Sequence, residues 1–212
     1  MTALFDGFQA SLLDMADHVV VRPLVGSVQR TVLGDGAWLD IRRGWIGGAD
    51  ILFDRLHTDV AWQEERRVMF DRTVMVPRLL AFFDEGDALP DPSLTDARRI
   101  LDEYYATELG EPFATAGLCL YRDGRDSVAW HGDRIGRSRT EDTMVAILSL
   151  GTPRGLLLRS HRGGPSRRYE MGHGDLLVMG GSCQRTWDHA VPKTARPTGP
   201  RISVQFRPRG VR

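Results

Sequence analysis

From Gly117 to the C-terminus, apolar residues recur at alternate positions in short runs separated by Gly and Pro, which is the period of half-buried strands. The pattern predicts strands over 118–122, 127–131, 143–150, 155–160, 175–179, 184–189 and 201–207. Short strands at such regular spacing point to a sandwich or jelly roll rather than to βαβ units. Before about residue 112 the texture is mixed. Ile51, Leu52, Leu56, Val60 and Trp62 fall roughly at helical spacing after Gly47-Gly48, predicting one helix or two over 49–66. A second helix is expected after Pro90-Asp91-Pro92, capped by Ser93 or Thr95, with Ile100, Leu101, Tyr104, Tyr105 and Leu109 on one face and Gly110 and Pro112 ending it. The expected fold class is α+β: a helical N-terminal part over 1–112 packed on a β core over 113–212, as one structural domain.

The chain's 212 residues suit a single domain. Its longest near-continuous apolar run, Met144 to Leu150, is far shorter than the roughly 20 residues a bilayer requires, so no membrane span is expected. Asp6, Asp14 and Asp17, with no Lys or Arg up to Val20, give the wrong charge for a secretory leader, and the chain reads as cytoplasmic. Two cysteines, Cys119 and Cys183, are too few for a disulfide framework and read as small buried residues. The net charge of zero hides an asymmetry. Residues 1–117 carry 11 basic and 20 acidic side chains, a balance of −9, while residues 118–212 carry 17 and 8, a balance of +9. A basic half is the footprint of a polyanion partner, nucleic acid being the usual one.

Two His-Gly-Asp triplets stand out, His131-Gly132-Asp133 and His173-Gly174-Asp175. Residues two apart on a strand share a face, so either triplet can offer an imidazole and a carboxylate to one ion. The second lies between glycines and enters the apolar run Leu176–Met179, which reads as a tight turn feeding a strand. The first ends a strand-like run, and His189 is the natural third ligand for a set of two His and one carboxylate, an arrangement used for non-heme Fe(II). In the last strand Ile202, Val204 and Phe206 alternate with Arg201, Ser203, Gln205 and Arg207. That polar face belongs either to an edge strand in water or to a site where guanidinium forks hold a carboxylate.

Together these residues resemble the AlkB family of Fe(II)- and 2-oxoglutarate-dependent dioxygenases. The resemblance rests on Tyr121-Arg-Asp-Gly124, His131-Gly-Asp133, His189 after a further 55 residues and, 11 residues on, Arg201-Ile-Ser203-Val-Gln-Phe-Arg207. It implies a double-stranded β-helix, a jelly-roll form, with N-terminal helices and a nucleotide-recognition lid. It implies that His131, Asp133 and His189 bind iron, that Tyr121, Arg201 and Ser203 hold the distal carboxylate of 2-oxoglutarate, and that Arg207 serves its keto end. Arg201 and Arg207 are six residues apart, ~20 Å along an extended strand, so a shared cosubstrate requires long side chains and curvature.

The implied reaction is oxidative dealkylation of N-alkylated bases in DNA or RNA with O₂ as oxidant, releasing succinate, CO₂ and formaldehyde. The target base is flipped or single-stranded. Candidate base stackers are Trp62, Phe82, Phe83 and Trp130, each of which reads more readily as an ordinary core residue. Candidate phosphate contacts are Arg159, Arg162, Arg167 and Arg168 around a Gly-Gly-Pro turn, with Arg78 after Pro77 as a lid contact. The expected enzyme is a monomer. Two positions depart from the common family pattern, Cys119 and Ser203, where many members carry Asn. Arg134-Ile135-Gly136 also follows Asp133 where acidic residues often help to read the base. A 2-oxoglutarate-dependent hydroxylase of a protein or small molecule, and a non-catalytic nucleic-acid binder, are the competing readings.

Overall fold

The computed structural model describes residues 18–69, 72–133 and 136–211, so Asp6, Asp14, Asp17, Arg134 and Ile135 lie outside it. Its strands are β1 (Val20–Val21), β2 (Gln29–Gly34), β3 (Ala37–Arg42), β4 (Ile46–Gly47), β5 (Gln63–Met69), β6 (Arg72–Phe83), β7 (Phe113–Tyr121), β8 (Val128–His131), β9 (Val145–Gly151), β10 (Arg154–Ser160), β11 (Arg167–Met171), β12 (Asp175–Gly181), β13 (Trp187–Val191) and β14 (Arg201–Pro208). The helices are α1 (Ala49–Asp59), α2 (Pro92–Leu109) and the single turn α3 (Cys183–Thr186).

Eight strands form one sheet in the order β2-β3-β12-β9-β14-β7-β6-β5, and four form a second in the order β11-β10-β13-β8. Every pairing in both is antiparallel. The period-2 pattern sorts each central strand of the large sheet between two cores. On β9, Ala146, Leu148 and Leu150 pack with Leu52 and Leu56 of α1 and with Leu94, Leu101 and Tyr105 of α2. Val145 and Ile147 turn the other way, toward Leu156, Leu158, Met171 and Val191 of the small sheet. The result is two facing antiparallel sheets, as in a jelly roll, with the helices on the outer face of the larger one. Among the described residues no helix is long and apolar enough to cross a membrane.

The expected helical N-terminal part needs correction. Residues 18–109 supply two helices but also six strands, and β2, β3, β5 and β6 extend the large sheet at its two ends. The helical spacing over 49–66 overran because α1 stops at Asp59, where Val60 turns extended at ψ 131°. Trp62 keeps an apolar position by packing back on the same core from outside the helix. Helix α2 is capped by Asp91, whose carboxylate accepts from the Ser93 N–H at 2.8 Å, so neither Ser93 nor Thr95 is the cap. Its end at Gly110, φ 72°, is as the sequence predicts. The strand expected over 184–189 begins at Trp187, because 183–186 coil into α3 first.

Candidate active site

The polar face of β14 is not an edge in water. β14 is a central strand between β9 and β7, and Arg201, Ser203 and Gln205 are buried at 2%, 3% and 9% exposure. With Arg207 they line an inner cavity of about 60 Å³ between the two sheets, closed on the far side by Val128, Leu156, Met171 and Val191. Tyr121 stands opposite Arg201 in the β7–β14 register, and the guanidinium sits 5.2 Å from its ring centre. Arg201 Nε donates to Ser149 Oγ at 2.9 Å, while its buried Nη1 has no hydrogen-bond partner among the described residues. Burial pushes the Tyr121 phenol upward, which keeps it a hydrogen-bond donor at neutral pH.

His131, Asp133 and His189 meet at this same cavity, their candidate ligand atoms all within 4.8 Å of one another. Pairing of β8 with β13 sets His131 opposite His189, and their ring centres are 4.2 Å apart. The Ala129 carbonyl accepts from His131 Nδ1 at 2.8 Å, which leaves Nε2 as the lone-pair nitrogen, 3.6 Å from Asp133 Oδ1. Asp133 is held from several sides. Its N–H donates to Gln184 Oε1 at 3.1 Å, its carbonyl accepts from the Ser138 hydroxyl, and its Oδ2 accepts from Arg207 Nε at 2.7 Å. Burial works to raise its carboxyl, but Arg207, helped by the two imidazoles, holds it well below the usual carboxylate range. Burial and the neighbouring His131 push His189 down to about 3, so it is neutral and able to ligate at pH 7.

The second triplet holds a turn together instead. The Asp175 carboxylate accepts from the Gly172 and Gly44 N–H groups, each at 2.8 Å, and the Gly151 N–H donates to His173 Nδ1 at 2.7 Å. Among the described residues His131, Asp133 and His189 form the one His/Cys/Asp/Glu group with metal-ligand geometry. Both cysteines are free and buried.

An outer groove of about 560 Å³ adjoins the inner cavity and shares Arg78, Cys119, Gln205 and Arg207 with it. Its rim carries Gln63, Glu64 and Glu65 of β5 and Phe82 and Asp84 at the end of β6. Alternation on β6 puts Arg78 and Phe82 on the groove side, Phe82 being 47% exposed, whereas Phe83, like Trp62, packs on the core under the helices. Trp130 lines neither cavity and lies under the Arg159 guanidinium, 4.5 Å from its ring centre. The four arginines of the β10–β11 hairpin line neither cavity. Arg159 pairs with Asp188, Arg162 with Asp35 and Arg168 with Glu170, while Arg167 lies 5.2 Å over Trp187. Gln205 and Gln184 are the site residues that sequence reasoning gave no part, since a buried amide carries no motif. Gln205 could have been singled out by its place on the arginine-bearing face of β14. The two positions that depart from the family pattern, Cys119 and Ser203, are directly opposite in register.

A family model described as the 2OG-Fe(II) oxygenase superfamily matches residues 85–207, more than half of the chain. The alpha-ketoglutarate-dependent dioxygenase alkB homolog 3 of Homo sapiens is 31% identical over 178 residues, covering 75% of this chain and 61% of that protein. The DNA oxidative demethylase ALKBH2 of Arabidopsis thaliana is 29% identical over 192 residues, covering 73% and 60%. The chain thus spans about three fifths of the length of these curated relatives. Among solved structures, that of OsALKBH1 superposes with a TM-score of 0.57 at 14% identity, covering 85% of this chain and 100% of that one, a likeness of fold.

Proposed function

The chain belongs to the 2OG-Fe(II) oxygenase superfamily, and from that membership we propose that it removes alkyl groups oxidatively from nucleobases in DNA or RNA, releasing succinate, CO₂ and formaldehyde. The family uses Fe(II), 2-oxoglutarate and O₂, and the residues here fit the first two. Two imidazoles and a carboxylate are the donor set for non-heme Fe(II), and the unpartnered Nη1 of buried Arg201 suits an incoming carboxylate. That convergence of a three-ligand set and a buried, incompletely bonded arginine on one cavity is the observation that carries the proposal.

In this reading His131, Asp133 and His189 bind the iron, and Ala129 and Arg207 orient two of those ligands. Arg201, Tyr121 and Ser203 hold the distal carboxylate of 2-oxoglutarate. Arg207, fixed on Asp133, offers its remaining N–H groups to the carboxylate beside the keto carbon. Bound iron, cosubstrate and O₂ supply the oxidation of the N-alkyl carbon, which then leaves as formaldehyde. The protein binds the cosubstrate, excludes water from the buried cavity and presents the base. The β5–β6 hairpin is the lid over the outer groove, Phe82 the stacking surface for a flipped or single-stranded base and Arg78 a contact at its edge. The hairpin arginines Arg159, Arg162, Arg167 and Arg168 meet the phosphates from outside the groove.

One observation favours a second reading, hydroxylation of a protein or small molecule: Glu64, Glu65 and Asp84 give the groove rim three carboxylates, which suit a cationic guest better than a phosphate chain. Succinate and formaldehyde release, measured with Fe(II), 2-oxoglutarate and a panel of alkylated single-stranded and duplex DNA and RNA oligonucleotides, separates the two. Formaldehyde that depends on one modified base supports dealkylation, and succinate formed only with peptides or metabolites overturns it.

A further inference from the structure

Gln205 sits where the inner cavity and the outer groove meet and lines both. Ser203 lines only the inner cavity and Gly117 only the groove. The Gln205 amide is fixed at both ends. Nε2 donates to the Ser203 carbonyl at 3.0 Å and to Ser203 Oγ at 2.6 Å, while Oε1 accepts from Cys119 Sγ at 3.7 Å. A carbonyl oxygen cannot donate, so the nitrogen must be the end facing Ser203, and the amide cannot be flipped. Both N–H groups are then spent on one residue.

The consequence falls on the serine. Ser203 Oγ is already an acceptor from Gln205, which leaves its own O–H free to donate, and Ser203 stands two positions from Arg201 on the same buried face. Room for the amide depends on Gly117. A Cβ there would stand 3.0 Å from Arg207 Nη1 and 3.3 Å from Gln205 Oε1. The Arg207 clamp on Asp133 and the Gln205 clamp on Ser203 therefore share one narrow partition between cosubstrate and substrate sides.

We infer that Gln205 is a positioning residue for the cosubstrate: it locks the Ser203 hydroxyl as a donor toward the carboxylate that Arg201 receives, a role resting on the proposed binding of 2-oxoglutarate in the inner cavity. A hydroxyl released from this clamp rotates among several acceptors, and part of the ordering cost then falls on ligand binding.

The test is anaerobic calorimetric titration of 2-oxoglutarate into Mn(II)-loaded protein, which needs neither turnover nor nucleic acid. Gln205→Met keeps length and loses both donors, and it is expected to weaken binding about 5- to 20-fold, the worth of one buried hydrogen bond. Gln205→Glu, polar but without donors, serves as the second variant and is expected to lose as much. The decisive comparison is the Ser203→Ala background, in which Gln205→Met costs less than about 2-fold more, because the group it orients is gone. Wild-type affinity in Gln205→Met, or the full loss repeated in the Ser203→Ala background, overturns the inference while the cosubstrate site stands. A wild-type protein that binds no 2-oxoglutarate overturns the cosubstrate reading itself.

Discussion

His131 and His189 are register partners across the β8–β13 pair, and their rings lie 4.2 Å apart at 48° to one another. Residues 58 apart in sequence are thus brought to one point by a ladder rather than by loops, and Asp133 joins them two residues after β8 ends. Strand pairing holds side chains more firmly than loops do, which suits the proposed metal site.

Asp133→Ala removes one of the three proposed metal ligands and frees Arg207 from its 2.7 Å ion pair. Turnover is expected to fall below detection. Affinity for an alkylated oligonucleotide stays within about 2-fold, since a freed guanidinium does not weaken a polyanion's binding. Rate and fluorescence-anisotropy measurements on the same preparation check both, and an equal loss of binding contradicts the separation of ligand and nucleic-acid roles.

Arg201→Met replaces the buried guanidinium by a chain of similar length. The 2-oxoglutarate dissociation constant is expected to rise about 10- to 100-fold, the worth of a charge-assisted hydrogen-bonded pair, with Mn(II) affinity unchanged. Titration of each ligand in turn reads the split.

Burial pushes the Cys183 thiol up to about 12. A raised thiol pKa leaves the unreactive protonated form dominant through pH 7–9. Iodoacetamide applied to folded protein at pH 8 is expected to leave Cys183 unmodified, with full labelling after denaturation, as read by peptide mass spectrometry.

The helix layer is tied to the sheet by a polar cluster buried at Tyr105 and Asp40 and exposed at Arg30 and Glu108. The Tyr105 hydroxyl of α2 donates to Asp40 Oδ2 of β3 at 2.9 Å, and Arg30 of β2 bridges Asp40 and Glu108. Tyr105→Phe leaves Asp40 paired with Arg30 and is expected to cost about 0.5–1.5 kcal/mol of stability, measured by urea denaturation, with 2-oxoglutarate affinity unchanged.

The strands of the site were legible because their alternation is clean. Ile202, Val204 and Phe206 on one side and Arg201, Ser203, Gln205 and Arg207 on the other identify β14 and its polar face from sequence alone. What the pattern could not decide was whether that face met water or a cavity, since this depends on strands β7 and β9 drawn from distant parts of the chain. Strand β5 was missed for a related reason. The segment Gln63-Glu64-Glu65-Arg66 at the start of β5 is charged and lies at the sheet's edge, where no buried face enforces alternation. Strand β11, Arg167–Met171, is hidden in the same way by its arginines. Among the aromatic candidates, Phe82 and Phe83 are adjacent in sequence yet fall on opposite faces of β6, a distinction that follows once β6 is known to be a strand.

Dealkylation is read directly from the mass of an alkylated oligonucleotide incubated with the Fe(II)-loaded protein and 2-oxoglutarate in air, followed together with succinate. The base is expected to lose its alkyl carbon, with one succinate formed per group removed. Succinate formed while every alkylated DNA and RNA strand keeps its mass rules out nucleobase dealkylation and moves the substrate to another class.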